Sequence, residues 1–500
     1  MSDFPAEHVT LPLDHFGKDN RTFENRYWVV DENYQPGSPV FIYDVGEDDA
    51  ESTAEKLYDS SWPIREIIDS FNGIGIMWEH RYYGKSAPFE VNEDTSAVDM
   101  MYLNVEQALL DVVNFASNFT STSFSSVDLT PASTPWIFIG GSYPGMRAAW
   151  MREYFPDTIF ASYASSAPVQ IADDDSAYWE TIYRGLNAYG YGNCSKDLHA
   201  AIMHIDTLMD DPVTSDALKT RFLSVLSKDQ PPDQRFINLT DYYFATLLVD
   251  STFGPWQRRG PEGLGEFCDW MQTDSSNDTD EIADAAGWEP SKGVDFVIQK
   301  WFTSPPLTQL YADPTMDQYS SGEEIENLSP DESSLDENSD LSWAWQTCTQ
   351  MGFHQPVNRG PHQIVPGSYS TGVFRQSCLD TFPDAEAQLL DWPHAIKTNL
   401  ELGGWDIRPS NTYWTGGEFD PWRPFSPLSS ELSAPRPIIS QEIPKCNVST
   451  GPDEIFGYVL RKAEHCYDFH AGVEEGAVAR NYFTDALREW LKCFEPKKST

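Results

Sequence analysis

Residues 136–150, WIFIGGSYPGMRAAW, constrain the fold of this chain more than any other stretch. An apolar, strand-like run ends at Gly140 and Gly141, a serine follows, and the next residues have helical spacing with a proline in the first turn. A strand that turns sharply into a helix around a serine is typical of a nucleophile elbow, in which small neighbours accommodate a strained serine backbone. Pro144 departs from the pattern G-x-S-x-G, so an ordinary turn serine remains the alternative at Ser142.

Strand-like and helix-like segments alternate on both sides of this stretch. Strand-like composition occurs at residues 26–30, 39–46, 73–78, 136–141, 158–169, 411–422 and 436–443. Helical spacing occurs at residues 100–119 and 477–494. The alternation predicts a mostly parallel sheet covered by helices on both faces, with Ser142 at the edge formed by the carboxyl ends of the strands.

The middle of the chain has a different texture, with helical segments rich in Asp, Ser and Trp and few strand-like runs. It ends at residues 317–340, which hold nine carboxylates and no basic residue, and this composition predicts a solvated, mobile loop. We therefore expect a first sheet-forming part at 1–170, a helical insertion at 171–340 and a second sheet-forming part at 341–500. The insertion would act as a cap over the carboxyl edge of the sheet.

A serine nucleophile requires a histidine that removes its proton and an acid that orients the histidine, and on this kind of sheet they follow in the order serine, acid, histidine. Asp420 lies in TGGEFDPW at a predicted strand end, and His465 lies in AEHCYDF before the last helix. Glu418 is a competing acid and His470 a competing base, and spacing alone leaves both open. The backbone N–H of Tyr143 would face a developing oxyanion.

The charge balance restricts the partners of this chain. Its net charge of −45 repels nucleic acid and anionic membranes, and the many carboxylates keep it charged in an acidic environment. No run approaches the about 18 apolar residues that span a bilayer. The sequence MSDFPAEHVT lacks a basic and then apolar segment, so we expect that a signal peptide has been removed or that the chain is not secreted.

Cysteines and glycosylation sequons favour secretion or a lysosome-like vacuole. Seven cysteines occur without close CxxC pairs, which indicates disulfides with at least one thiol left over rather than a metal site. Sugar attachment requires passage through the secretory lumen. The acceptor sequons lie at Asn20, Asn118, Asn193, Asn238, Asn277, Asn327 and Asn447.

An ordered set of blocks along almost the whole chain carries a family resemblance. These blocks are LPLDHF, TFENRYWV, EHRYYGKSAPF, YLNVEQALLD, GGSYPGMRAAW, SSAPV, NCSKD, GGEFDPW and HCYD. They resemble the prolyl serine peptidase family of lysosomal Pro-X carboxypeptidase, dipeptidyl peptidase II and the fungal acid prolyl endopeptidases. The resemblance implies an α/β-hydrolase fold with a large, mainly helical cap, peptide substrates containing proline, and no metal or cofactor. The resemblance is also compatible with a homodimer.

The resemblance assigns roles to individual residues. It places the nucleophile at Ser142, the acid at Asp420 and the base at His465. It implies that a backbone N–H of Gly46 or Glu47 completes the oxyanion hole with Tyr143, and that Met146 and Trp422 line a proline pocket, although both could be core residues. Two further positions, His80 and Arg81, are expected to be structural. The implied disulfides are Cys194–Cys268 and Cys348–Cys378.

The expected reaction is hydrolysis of peptide bonds after proline through an acyl-enzyme, active at acidic pH. An exopeptidase of the Pro-X carboxypeptidase or dipeptidyl peptidase type is the first expectation, and a prolyl endopeptidase of the same family is the alternative. An esterase or lipase on the same fold would act on acyl esters and not on prolyl peptides. A catalytically inactive secreted binding protein on a hydrolase fold is the alternative from another class, and an intact Ser, Asp and His set disfavours it.

Overall fold

A nine-stranded sheet forms the centre of the molecule. The computed structural model describes residues 4–92, 94–226, 241–259, 261–276, 279–312, 337–385, 389 and 395–497. The strands are β1 (Glu7–Pro12), β2 (Thr22–Val30), β3 (Val40–Asp44), β4 (Ile74–Trp78), β5 (Trp136–Gly141), β6 (Ala161–Ser165), β7 (Thr273–Asp274), β8 (Glu281–Ile282), β9 (Thr412–Gly417), β10 (Ile438–Ser440) and β11 (Glu454–Leu460). The large sheet has the order β1-β2-β4-β3-β5-β6-β9-β11-β10, and β7 and β8 form a separate pair.

The sheet is parallel from β4 to β10, and only β1 and β2 add antiparallel pairs at one end. All residues of β4, β6 and β9 are buried, as expected for parallel strands covered on both faces. Because β3, β5, β9 and β11 run in the same direction, their carboxyl ends meet at one edge of the sheet. This arrangement confirms the mostly parallel sheet predicted from the sequence.

Helices cover both faces of the sheet and build the insertion. They are α1 (Pro63–Ser70), α2 (Ala97–Met100), α3 (Val105–Asn118), α4 (Tyr143–Tyr154), α5 (Ala177–Tyr189), α6 (Gly192–Met209), α7 (Pro212–Leu226), α8 (Asp241–Arg259), α9 (Pro261–Gln272), α10 (Glu289–Lys292), α11 (Val294–Phe302), α12 (Pro305–Ala312), α13 (Glu337–Gln346), α14 (Thr371–Thr381), α15 (Ala395–Leu402) and α16 (Gly476–Trp490).

Alternating strand residues fill two cores on opposite faces of the sheet. In β3, Val40 and Ile42 pack in one core, whereas Phe41 packs in the other. The first core includes apolar residues of α3 and α4, and the second includes residues of α1 and α16. The two-residue period of the strands thus gives each face its own layer of helices.

The cap has a separate apolar core that extends beyond the sequence-based boundary. Residues of α5, α6, α8, α9 and α11 pack together there. Helix α13 runs across position 340, and residues further along the chain join the cap core, namely Val357, Ile364, Val365 and Tyr369. Most of the acidic stretch lies outside the described residues, and its last part, from Glu337, begins α13. Apolar residues beyond position 340 thus contribute to the core of the cap.

Three disulfides join segments that are distant in the chain. The implied bridges Cys194–Cys268 and Cys348–Cys378 are confirmed, and a third joins Cys446 to Cys493. Cys466 is the thiol left over.

The described sequon asparagines differ in their exposure. The side chains of Asn20, Asn118 and Asn447 are exposed and that of Asn193 is half-buried, while Asn238, Asn277 and Asn327 lie outside the described residues. Within the described ranges, no helix combines the length and apolar composition needed to cross a membrane.

Candidate active site

Ser142 lies in a sharp turn between β5 and α4. Its backbone has φ 63° and ψ −129°, a strained combination for a residue other than glycine. The Ser142 N–H donates to the carbonyl of Ser165 at 2.9 Å, which ties the turn to β6. A Cβ at Gly140 would lie 2.3 Å from the carbonyl carbon of Pro144, and one at Gly145 would lie 2.5 Å from the Ser165 oxygen. The glycines therefore allow the close approach that the elbow requires.

Asp420 lies in the Asp420 loop, residues 418–422, which follows β9. Its side chain is completely buried. The carboxyl oxygen Oδ1 accepts the backbone N–H of Trp422 at 2.9 Å and lies 2.9 Å from Nδ1 of His465. A neutral imidazole whose Nδ1–H donates to this carboxylate has a fixed orientation and an unprotonated Nε2.

His465 lies in the His465 loop, residues 461–470, which follows β11. The backbone N–H of the next residue, Cys466, donates to Ser166 Oγ at 2.8 Å. A Cβ at Gly141 would lie 2.8 Å from the Cys466 sulfur, so this loop packs directly against the residue before Ser142. The structure therefore brings His465 into contact with Asp420 and packs their neighbours against the elbow.

A buried carboxyl group fastens the His465 loop to the sheet. Asp468 accepts hydrogen bonds of 2.6 Å from the hydroxyls of Tyr163, Ser165 and Thr415. These three donors lie on the adjacent strands β6 and β9, to which the loop is thereby attached. The sequence analysis gave Asp468 no role, although it stands in the block HCYD.

The contact with Asp420 changes the titration of His465. Burial disfavours the charged imidazolium, but the Asp420 carboxylate and the Cys466 side chain together outweigh this effect and raise the pKa of His465 well above its ordinary value. Only 13% of the His465 side chain is exposed. The pair is thus a buried, mutually stabilised unit.

Glu418 and His470, the alternatives to Asp420 and His465 as acid and base, make different contacts. The Glu418 carboxylate accepts the backbone N–H of Lys462 at 2.9 Å. His470 is exposed on the far part of the His465 loop. The geometry thus favours Asp420 and His465 over Glu418 and His470.

The loop after β3, residues 45–49 and here called the β3 loop, packs on the elbow. Gly46 has φ 82°, and a Cβ there would lie 2.3 Å from Cγ of Pro144. The Gly46 N–H donates to Asp44 Oδ1 at 3.1 Å, so this N–H is already engaged. Burial raises the pKa of the neighbouring Glu47 carboxyl to about 7, with Asp44 adding to the shift and His465 opposing it.

Tyr143 is held by a buried polar network. Its hydroxyl lies 3.0 Å from His80 Nε2 and accepts a hydrogen bond of 3.0 Å from Gln346 Nε2. His80 Nδ1 lies 2.7 Å from the Arg81 carbonyl, and burial together with Arg147 and Arg81 lowers the pKa of His80, which keeps it neutral. His80 and Arg81 are both buried, which agrees with the structural role expected for them.

Aromatic side chains from the cap and the sheet meet beside the Asp420 loop. The half-buried Trp422 packs against Tyr178 of α5 and Phe353, with ring centroids 5.2 and 5.3 Å apart. Met146 is fully buried in the sheet core and presents no surface. Of the two sequence-based pocket residues, Trp422 therefore has accessible surface and Met146 has none.

Across the described ranges, no group of three or more His, Cys, Asp or Glu side chains is arranged to hold a metal ion.

The parallel sheet, the elbow after β5 and the loops after β9 and β11 define an α/β hydrolase. The chain belongs to the family described as Serine carboxypeptidase S28, which matches residues 11–447. Serine protease vicPa of Bipolaris victoriae (strain FI3) is 27% identical over 449 residues, covering 82% of this chain and 76% of that protein. Thymus-specific serine protease of Mus musculus is 25% identical, covering 98% and 88%, and Lysosomal Pro-X carboxypeptidase of Mus musculus is 24% identical, covering 82% and 77%.

These similarities confirm the family resemblance and the α/β-hydrolase fold expected from the sequence, and they make the chain a serine-type peptidase. The family match ends at residue 447 and thus before His465. The roles of individual residues accordingly depend on the geometry of the site.

Proposed function

We propose that the chain hydrolyses peptide bonds after proline, with Ser142 as nucleophile, His465 as general base and Asp420 as orienting acid. The observation that supports this most is the 2.9 Å contact between His465 Nδ1 and Asp420 Oδ1, on loops at the sheet edge where β5 ends in the elbow. The contact leaves Nε2 free to accept a proton.

The reaction is a two-step acyl transfer. Ser142 Oγ bonds to the carbonyl carbon of a proline residue while His465 Nε2 takes the hydroxyl proton, and His465 returns that proton to the nitrogen as the C–N bond breaks. Water then gives a proton to His465, attacks the acyl ester and releases the acid, and the proton returns to Ser142. The N–H groups of Tyr143 and Glu47 are the proposed oxyanion donors, because the Gly46 N–H is bonded to Asp44.

Selection of proline is assigned to the aromatic surface around Trp422. A proline ring has no donor and is recognised best by apolar and aromatic walls. Trp422 lies two residues after Asp420 and packs against Tyr178 and Phe353, so a ring bound there would lie close to the proposed reaction centre.

An exopeptidase of the Pro-X carboxypeptidase or dipeptidyl peptidase type is the proposed form of this activity. The cap contacts both catalytic loops, because the indole N–H of Trp256 donates to the Phe419 carbonyl at 3.1 Å and the Tyr189 hydroxyl donates to Glu464. A cap fixed at these points limits the length of peptide that can pass across the site.

The test is the digestion of a peptide with one central proline, prepared with free ends, a blocked amino end and a blocked carboxyl end. We expect cleavage after proline that is abolished by one of the two blocks and by Ser142→Ala. Cleavage of both singly blocked peptides would identify an endopeptidase instead. Equal cleavage of a peptide with alanine in place of proline would contradict the proposed specificity.

We also propose that the protein is secreted or vacuolar. We propose in addition that it is active at acidic pH. Three disulfides and the large excess of carboxylates support an oxidising, acidic compartment, and one similar protein is named Lysosomal Pro-X carboxypeptidase. The raised pKa of His465 acts against turnover at low pH, because a protonated imidazole cannot serve as a base. The pH dependence of the rate therefore tests this part of the proposal separately.

A further inference from the structure

We propose that the buried ion pair of Asp44 and Arg147 positions the two oxyanion donors relative to each other, so that both are positioning residues for the hydrolysis. This inference rests on the proposed function. The donors come from different elements, since the Tyr143 N–H lies at the start of α4 and the Glu47 N–H lies in the β3 loop. A fixed link between these two elements is therefore needed to keep the oxyanion hole in shape.

The ion pair makes this link. Arg147 Nη1 of α4 lies 2.5 Å from Asp44 Oδ2 at the end of β3, and neither side chain is exposed. The N–H bonds of Nη1 are not aligned with an acceptor, so the attraction is electrostatic. Arg147 Nη2 also donates to the Ala108 carbonyl at 2.9 Å, which fixes the guanidinium against α3.

The second carboxyl oxygen of Asp44 orients the β3 loop. Oδ1 accepts the Gly46 N–H at 3.1 Å, which ties the β3 loop to the end of β3 one residue before Glu47. The close approach of Gly46 to Pro144 holds the loop from the other side. One carboxyl group thus contacts both the loop that carries one donor and the helix that carries the other.

A purely stabilising role is a weak explanation for such a pair. Desolvation of two charges offsets much of their attraction, and neutral replacement of a buried ion pair of similar volume is often harmless to stability. Burial indeed raises the pKa of Asp44, with Arg147 and the Gly46 N–H opposing that shift. The pair lies between the β3 loop and the elbow, so its proposed role is to fix the positions of these two segments relative to each other.

The test is the double variant Asp44→Asn/Arg147→Met, which removes both charges and keeps the approximate volume. We expect a melting temperature within about 3 °C of the wild type, a KM within about threefold, and a kcat about 10- to 100-fold lower, below the 10²- to 10³-fold loss of a whole oxyanion donor. Affinity for a prolyl boronate, whose tetrahedral adduct fills the hole, should fall by the same factor as kcat.

The matched control is Arg65→Met/Asp69→Asn, which neutralises a largely buried pair on α1, with Arg65 Nε 3.0 Å from Asp69 Oδ1. In this control kcat and boronate affinity should stay at the wild-type level whatever happens to the melting temperature. If Asp44→Asn/Arg147→Met does not fold, Asp44→Leu/Arg147→Leu replaces it with the same expectation. A folded variant with wild-type kcat and boronate affinity, or a control with an equal loss, would overturn the inference.

A second substrate separates this inference from the proposed function. An activated p-nitrophenyl ester reports the oxyanion hole of any Ser-His-Asp hydrolase and needs no proline recognition. If the wild type cleaves the ester and no prolyl peptide, the proposed specificity fails, while the ratio of ester kcat values between variant and wild type still decides the role of the ion pair.

Discussion

The catalytic edge of the sheet and the cap are built from opposite kinds of contact. At the edge, polar groups have several fixed partners, as when Asp468 accepts three hydroxyl hydrogen bonds from two strands. In the cap, large apolar side chains such as Trp179, Trp256 and Trp301 pack in a common core. Hydrogen bonds impose distance and direction, whereas apolar packing tolerates adjustment.

This difference assigns different tasks to the two regions. The edge holds the reacting groups in one geometry, and the cap meets it at the Trp256 contact with Phe419 and the Tyr189 contact with Glu464. Burial raises the pKa of Glu464 to about 7, with Asp420 adding to the shift. We therefore expect changes at the edge to reduce the rate of the chemical step and changes in the cap to alter substrate binding.

The largest effect is expected from Asp420→Asn, which leaves the volume unchanged and removes the charge that orients His465. By analogy with other triads we expect kcat to fall about 10⁴-fold with KM little changed. Glu418→Gln is the matched control, because Glu418 binds the Lys462 N–H and should lose less than about threefold. A larger loss at Glu418 than at Asp420 would exchange their proposed roles.

The next effect is expected at Asp468→Ala, which leaves three buried hydroxyls without their acceptor. We expect the free energy of unfolding to fall by about 2–4 kcal/mol and kcat of the folded protein to decrease, because the His465 loop loses its attachment to β6 and β9. Denaturant unfolding and steady-state kinetics measure both. Thr415→Val removes one donor only and should cost about 1 kcal/mol. If Asp468→Ala changed neither the free energy of unfolding nor kcat, Asp468 would not be the attachment of the His465 loop.

The pH dependence of kcat/KM tests the His465–Asp420 pair at the sheet edge without a mutation. Because Asp420 raises the pKa of His465, the neutral base becomes available only as the pH rises through that raised value, so kcat/KM should increase about tenfold per pH unit below it. The same pair stabilises the fold at low pH and loses that contribution as the pH rises through the folded pKa. A rate that is highest near pH 4 and declines above it would contradict this prediction, because His465 would have to be neutral at pH 4, and it would support the proposed activity at acidic pH.

The smallest effect is expected from Tyr189→Phe, which removes the hydrogen bond between α5 and Glu464. We expect KM for peptides to change about two- to tenfold, with kcat on a small activated ester unchanged. Tyr183→Phe on the same helix serves as the control, because its ring stacks on His362 and this contact is retained. If Tyr189→Phe lowered kcat on the ester, the cap would also hold the catalytic residues in position.

Much of the sheet could be predicted from its sequence. The runs that became β2 to β6 and β9 have β-branched and aromatic composition, and the elbow followed from an apolar strand ending in GGS. Strand β1 was not predicted, because its buried and exposed residues do not alternate cleanly along an edge strand. The residues beyond position 340 that join the cap core could not be predicted, because acidic composition marks a solvated segment and carries no information on which later residues pack in that core.

The site was predictable where chain order carries information. Asp420 and His465 follow Ser142 in the order that an α/β hydrolase requires, although Glu418 and His470 could be separated from them only by contacts in space. The Asp44–Arg147 pair and the engagement of the Gly46 N–H had no such signal. Both depend on how β3 and α4 pack, and this packing cannot be derived from a single sequence.

Labelling with a fluorophosphonate tests the central proposal most directly, since the reagent reacts with a serine only where a base and an oxyanion hole activate it. We predict one adduct per chain, located at Ser142 by peptide mass spectrometry, none in Ser142→Ala, and a labelling rate at least about 10³-fold lower in His465→Ala. An adduct at another residue, or labelling of His465→Ala at the wild-type rate, would contradict the account.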